Sequence, residues 1–289
     1  MEWSQRMSAA IDYIEENLAG EIDYEEAAGR ACCSSFHFQR MFSVITEITP
    51  AEYVRRRRLT LAATELSSGK TKVIDVAMKY GYDSPDSFTR AFRNLHGVTP
   101  QAAREPGVTL TAFPRISFQI IVKGGIDMDY RIIKKPAFAI AVTTRRFTTL
   151  DGQNFVQIPK WWDEFLASPD CKKMTDLTAG KAGAVTGSVM LGICMADDKP
   201  VDFSYGIAVE LPAGAPAAPF KKMEIPAATW AVFDCTLTNL QDVTRHIFSE
   251  WFPSTGYEHD AKPELEIYLP EKSGEEMQCE IWIPVVKKK

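Results

Sequence analysis

Residues 34–50 read Ser34-Ser35-Phe36-His37-Phe38-Gln39-Arg40-Met41-Phe42-Ser43-Val44-Ile45-Thr46-Glu47-Ile48-Thr49-Pro50. Residues 84–100 read Ser84-Pro85-Asp86-Ser87-Phe88-Thr89-Arg90-Ala91-Phe92-Arg93-Asn94-Leu95-His96-Gly97-Val98-Thr99-Pro100. The same residue types hold the same places: Ser34 and Ser84, Phe38 and Phe88, Arg40 and Arg90, Phe42 and Phe92, Thr49-Pro50 and Thr99-Pro100. Ala27 and Ala77 extend the match upstream. Chance supplies about one or two identities in a window of this length. Each copy is too short to bury a core alone, so the two are expected to form one domain.

The unit has a recognisable shape. A short helical segment (Ile22–Arg30, then Lys72–Tyr80) leads into a turn (Ala31-Cys32-Cys33, then Gly81-Tyr82-Asp83). A second helix then starts at a serine. Ser34 and Ser84 sit where a hydroxyl can accept from the free amides of the first turn. Pro85 suits the first helical position, and Asp86 the positive first turn. Paired phenylalanines four apart lie on one face and point at a core. Gln39 and Arg40 fall beside that face; Phe36 and His37 sit nearer the helix start. This is a helix-turn-helix, whose second helix fits a DNA major groove. One copy alone also fits an ordinary helical hairpin; two copies with the same cap, arginine and exit favour DNA.

Thr49-Pro50-Ala51-Glu52 starts a connecting helix that runs to about Leu66 and stops at Ser67-Ser68-Gly69. Arg55, Arg56, Arg57 and Arg58 lie inside it. Successive helical residues point about 100° apart, so these four cannot share one phosphate. Some are expected on DNA backbone and at least one in an internal ion pair; a solvated basic turn fits them equally. A stiff connector would hold both second helices at the ~34 Å repeat of one DNA face.

Residues 5–104 closely resemble the DNA-binding domain of the AraC/XylS transcriptional regulators, most of all the Rob-type branch with an N-terminal DNA domain. The resemblance implies that Phe36, Gln39 and Arg40 face bases from the first recognition helix, and that Thr89 and Arg90 act from the second. With Ser34, Arg55, Ser84 and Arg93 these form the candidate DNA-binding set. Pro85 and Asp86 depart from that branch, which tends to carry amides there. An acid facing DNA disfavours phosphate but can accept from cytosine N4, so readout by the second helix stays open.

The 289-residue chain carries a net charge of −5. Residues 1–106 hold 13 Lys and Arg against 15 Asp and Glu, a net of −2. That is unusual for a DNA-binding domain, so binding must rest on local clusters and fall steeply with salt. The six cysteines and four histidines show no zinc-ligand spacing. A vicinal disulfide at Cys32-Cys33 would be strained; small packing residues fit better than a redox sensor there. No apolar run reaches membrane-spanning length. A reducing cytoplasm is expected, with no metal, cofactor or membrane partner.

Beyond Arg104 helical spacing stops. Residues 1–106 read as the DNA-binding domain, 107–124 as a linker and leading strand, and 125–289 as a second domain. Strands are expected at Ile116–Val122, Met128–Ile133 and Phe138–Thr144, a helix at Asn154–Ala167, and strands near Ala182–Met190 and Phe203–Leu211. After a Pro- and Ala-rich stretch, strands near Phe220–Ile225 and Thr229–Leu237 follow. A helix at Leu240–Phe252 comes next, then strands at Glu264–Leu269 and Gln278–Val285. Pro136, Ala137, Ala141, Val142, Thr148 and Trp161 return as Pro226, Ala227, Ala231, Val232, Thr238 and Trp251, which reads as a duplicated strand-helix-strand-strand unit. The fold class is thus an all-α double helix-turn-helix domain followed by an α+β domain.

The seam between two such halves is a natural pocket. Trp161, Trp162, Tyr205, Trp230, Phe233 and Tyr268 supply aromatic surface, and Glu264, Glu266 and Tyr268 share one strand face. A carboxylate among aromatic rings takes up a proton or awaits a cation; the same residues also fit water-facing glutamates over an aromatic core. Residues from about 125 to 289 resemble the gyrase-inhibitor-like effector-binding domain. Met128-Asp129-Tyr130-Arg131-Ile132, Ile225-Pro226-Ala227, Trp251 to Tyr257, Glu266-Ile267-Tyr268-Leu269-Pro270 and Ile281-Trp282-Ile283-Pro284 carry the resemblance. It implies that Glu266 and Tyr268 line a pocket; Phe147, Trp161, Trp162, Tyr205 and Trp230 complete the candidate ligand set.

The expected protein is a non-enzymatic transcription regulator that binds promoter DNA and RNA polymerase and senses a small hydrophobic, cationic effector. Hydrolysis of small electrophiles by Glu266 and Tyr268, or a protein-interaction role, are the alternatives.

Overall fold

The computed structural model describes residues 3–69, 71–118, 128–148, 153–195, 202–269 and 276–287. Contacts divide the chain into two compact units, 1–38 with 50–121 and 39–49 with 122–289. Helix α3 (Ser35–Thr46) therefore gives its first turn to one unit and the rest to the other.

The first unit contains α1 (Trp3–Glu16), α2 (Tyr24–Arg30), α4 (Pro50–Ser67), α5 (Val73–Lys79), α6 (Pro85–His96) and a short 3₁₀ turn at Ala102–Arg104. The serine caps form as their chemistry requires. Ser34 Oγ accepts from His37 N at 3.2 Å, and Ser84 Oγ from Ser87 N at 3.2 Å. Gly97 ends α6 in the left-handed region at φ 74°, where lack of a Cβ removes the usual penalty. Leu59, Ala62, Ala63 and Leu66 of α4 build a core with Val76, Ala77, Phe88 and Phe92.

The four arginines of α4 all find internal partners. Arg55 grips Glu52 with Nε and Nη2 at 2.6 and 2.7 Å, and Arg56 Nε joins the same carboxylate at 2.5 Å. Arg57 makes a two-pronged pair with Glu15, both contacts 2.8 Å, and donates to the Phe113 carbonyl at 2.8 Å. Arg58 donates to the carbonyls of Leu18 and Gly20 at 2.9 and 2.5 Å. The internal ion pair expected of this run is made by Arg55, Arg56 and Arg57, and with Arg58 the run braces the domain. Glu52 is fully buried, and a buried carboxylate is tolerable only with such donors.

The second unit is built on one antiparallel sheet. Its strands are β1 (Arg131–Lys135), β2 (Phe138–Thr148), β3 (Met190–Met195), β4 (Asp202–Glu210), β5 (Lys221–Ile225), β6 (Ala228–Thr236), β7 (Tyr257–His259), β8 (Glu264–Tyr268) and β9 (Gln278–Lys287). They run in the order β1-β6-β9-β8-β3-β4-β2-β5, with β7 beside β9. Exchanging β1 to β4 for β5, β6, β8 and β9 reverses this order onto itself. Helices α7 (Gln153–Leu166) and α8 (Pro169–Asp176) follow β2. After β6 come α9 (Leu240–His246), a π turn at Ile247–Trp251 and α10 (Phe252–Ser254).

Both sheet faces are buried. Ile140, Val142, Leu191, Ile193, Val232, Leu265, Ile267 and Trp282 cluster on one. Phe147, Tyr205, Ile207 and Val209 cluster on the other with Trp161 and Phe165 of α7.

Two strand expectations change. Residues 116–118 are not in a strand, and 119–122 lie outside the described residues. The strand expected near Ala182–Met190 begins only at Met190. Glu210 takes up the backbone before it, accepting from Val185 N at 2.9 Å and from Thr186 N at 2.8 Å, and Gly187 turns at φ 71°. Strand β7 and helix α8 had no counterpart in the sequence reading.

Candidate functional site

A cavity of about 480 Å³ opens beneath α7 in the second unit. Its walls are Phe155, Pro159, Trp162 and Leu166 of α7, Met190 and Cys194 of β3, Phe203 and Tyr205 of β4, and Glu266 and Tyr268 of β8. Leu237, Leu240 and Thr244 line it as well, and so does Arg40. The α7 positions recur at spacings of four and three, so one helical stripe faces the space.

Glu266 is the polar centre. Its Oε2 accepts from Tyr205 Oη at 2.5 Å and from Tyr268 Oη at 2.8 Å. Trp162 Nε1 donates to Tyr205 Oη at 3.0 Å, so the indole is tied to the carboxylate through one hydroxyl. Trp162 and Tyr268 meet edge to face at 5.0 Å. Burial pushes the Glu266 carboxyl up from its ordinary value, against the two tyrosine hydrogen bonds and the Arg40 charge, which pull it down. Burial also raises both tyrosines and the Cys194 thiol well above their usual range.

Glu264, two residues earlier on the same face, behaves oppositely. Its Oε2 accepts from Arg40 Nε at 3.1 Å, and its Oε1 lies 3.3 Å from His259 Nε2. Burial alone would raise it, but the Arg40 charge and the His259 hydrogen bond hold it down at about 2.

Of the expected ligand set, Trp162, Tyr205, Glu266 and Tyr268 meet at the cavity. Phe147 and Trp161 stand behind it, their ring centroids 5.5 Å apart and each 6.3 Å from Tyr205. Trp230 is a correction: it packs against Trp282 at 5.8 Å in the core of the opposite sheet face. Strand alternation explains this, since Trp230 and Val232 point one way and Phe233 and Cys235 the other. Sequence reading missed Phe155, Pro159, Leu166, Met190 and Cys194. The spacing along α7 was the one available signal.

Gly192 permits the arrangement. A Cβ there would collide with Tyr205 Oη and come within 2.7 Å of Glu266 Oε2. Gly192→Ala is expected to destabilise the protein by about 1–3 kcal/mol through overpacking, read as a lower melting temperature with altered Trp162 emission. An unchanged melting temperature would show that the tyrosine yields freely.

The candidate DNA-contacting residues are distributed unevenly. On α6, Thr89, Arg90 and Arg93 border one shallow depression with Asp86, Asn94, Gly97 and Thr99, opposite the buried Phe88 and Phe92. Arg90 and Arg93 are exposed. Ser34 and Ser84 are spent as helix caps. Arg55 is held by Glu52. Gln39 is half-buried, and the Phe36 side chain lies outside the described residues. Arg40, expected to face bases, lies within the second unit with its side chain 22 % exposed and paired with Glu264. Its physical reason is a buried carboxylate that needs a counter-charge.

Comparison with known proteins matches residues 128–286 to the GyrI-like small molecule binding domain and residues 27–106 to a helix-turn-helix domain. The Transposon Tn10 TetD protein of Escherichia coli is 41 % identical over 32 % of this chain and 67 % of its own length. Regulatory protein SoxS of Salmonella typhimurium is 36 % identical over 36 % of this chain and 97 % of its own. The solved structure of SAV2435 bound to tetraphenylphosphonium covers 55 % of this chain and 94 % of that one at 18 % identity, with a TM-score of 0.45. The chain belongs to the AraC-family DNA-binding transcription regulators and joins their helix-turn-helix domain to a GyrI-like small-molecule-binding domain.

Proposed function

We propose that this regulator senses a hydrophobic cation in the cavity beneath α7 and answers by changing its engagement of promoter DNA and RNA polymerase. The observation that carries this reading is Glu266, a half-buried carboxylate ringed by Trp162, Tyr205 and Tyr268. Burial makes an unpaired charge costly there, so a carboxylate in such a place gains by meeting a cation. The aromatic faces add attraction for the same class of ligand. The cavity volume lies within the usual range for small-molecule sites, ~300–1,000 Å³.

In the DNA-binding unit, Thr89, Arg90 and Arg93 act on the duplex from α6. The symmetric strand order supports reading the second unit as two related halves. Hydrolysis is not favoured: Glu266 is engaged by two hydroxyl donors, and the relatives matched over the helix-turn-helix domain are regulators.

Titration calorimetry with tetraphenylphosphonium and its neutral analogue triphenylphosphine oxide tests the reading on the full chain. Tighter binding of the cation, by tenfold or more, is expected. Equal affinity for both probes would remove the charge from the proposed effector. Turnover of either probe would favour the hydrolase alternative.

A further inference from the structure

The cavity already contains a cation. Arg40 lines it, pairs with Glu264 at 3.1 Å, and lies over the Phe248 ring 5.8 Å from the centroid. Glu264 and Glu266 are two apart on β8 and so project from the same sheet face. Arg40 and Glu266 line the cavity itself, and Glu264 is buried against the Arg40 guanidinium. His259 is the other basic group on Glu264, and the remaining titratable neighbours, Asp163, Cys194, Tyr205 and Tyr268, add no positive charge.

We propose that Arg40 is the cavity's own counter-cation, and that a cationic effector competes with it for the Glu264–Glu266 carboxylate pair. The inference rests on the reading of this cavity as a cation site and adds the residue that sets its selectivity. An incoming cation gains Glu266 but meets Arg40 as a like charge. Two unit charges about 7 Å apart at an effective dielectric of about 20 repel enough to shift an equilibrium roughly fiftyfold. By linkage, the effector loosens the Arg40–Glu264 pair by the same factor that Arg40 weakens the effector.

The consequence reaches DNA through the repeat. Arg40 holds the place in its copy that Arg90 holds in the other, and Arg90 is exposed on α6 beside Thr89 and Arg93. While Glu264 holds Arg40, that guanidinium is withheld from any base or phosphate. A hydrophobic cation thus acts as a release signal, and a neutral molecule of the same shape does not.

The test uses the full-length protein, tetraphenylphosphonium and triphenylphosphine oxide. Arg40→Met is expected to bind the cation at least tenfold more tightly than wild type and the neutral probe unchanged. Arg40→Lys, which keeps the charge, stays near wild type. Glu264→Gln leaves one carboxylate for two cations, so its cation affinity falls below wild type. A merely structural role for the pair would weaken both probes in both variants. Should Arg40→Met fail to fold, the contrast between Arg40→Lys, unchanged, and Glu264→Gln, weaker for the cation alone, still decides: equal cation affinity in these two variants overturns the competition. Equal cation affinity in wild type and Arg40→Met overturns the competition, as does an equal gain for both probes. No cation binding in either protein overturns the cation-site reading itself.

Saturating cation is also expected to strengthen duplex binding by wild type and to leave Arg40→Met unaffected. An effect that survives the substitution, or none in wild type, overturns coupling through Arg40.

Discussion

Replacing Arg90 and Arg93 together with alanine is expected to weaken duplex DNA binding by a hundredfold or more, with little change in melting temperature. Both side chains are exposed, on the face of α6 opposite the buried Phe88 and Phe92. Truncating them leaves the core and the Ser84 cap intact. An arginine paired with a guanine edge contributes about 1–3 kcal/mol, and one on phosphate lowers the salt slope by about one when lost. Two such losses multiply to about two orders of magnitude. The salt series separates the roles, because a base contact changes sequence preference and a phosphate contact changes the slope.

Arg57→Ala supplies the contrast. Its guanidinium is pinned by Glu15 and the Phe113 carbonyl, so its removal should lower stability and leave the salt slope of the folded protein alone. Full DNA affinity in the Arg90→Ala/Arg93→Ala double variant would show that α6 does not approach the duplex. In that case its net acidic unit would have to bind through another surface.

The helical half was legible because its signals are local. Capping serines, a proline at the first turn and phenylalanines four apart act within one or two turns of helix, and α2 to α6 each formed within two residues of the expected start. Partner choice was not legible. Nothing in the run Arg55 to Arg58 shows that Glu15, Glu52 and the carbonyls of Leu18 and Gly20 will claim all four, since Glu15 is forty-two positions from Arg57. Arg40 is a stronger case, with its carboxylate 224 positions away. In the sheet, alternation put Glu264, Glu266 and Tyr268 on one face correctly. The same rule, applied to Trp230, would have sent it to the opposite face from Phe233. Aromatic size alone is no guide to which side of a two-sided core a ring will take.

Glu266→Gln is expected to weaken a hydrophobic cation such as tetraphenylphosphonium by ten- to hundredfold while leaving a neutral analogue and duplex DNA unaffected. Glutamine has nearly the same shape, and its carbonyl oxygen can still accept from Tyr205 and Tyr268, so the cavity keeps its walls. What is lost is the charge. At about 5 Å and an effective dielectric of about 20, one carboxylate and one cation attract by ~3 kcal/mol before the cost of desolvation. The pH dependence follows from the direction of the shift. Burial raises the Glu266 carboxyl, so the free wild-type protein is penalised as pH climbs through that raised value and the charge forms. Glu266→Gln carries no such penalty, and its stability advantage should be present at pH 7 and vanish near pH 4, where both side chains are neutral. Cation affinity runs the other way in wild type, rising with pH over the same window, and stays flat in the variant. Glu264, held down at about 2 chiefly by Arg40, remains charged throughout and cannot produce that titration. Identical cation affinities for wild type and Glu266→Gln across this range would mean that the aromatic walls alone hold the ligand and that the carboxylate serves the fold.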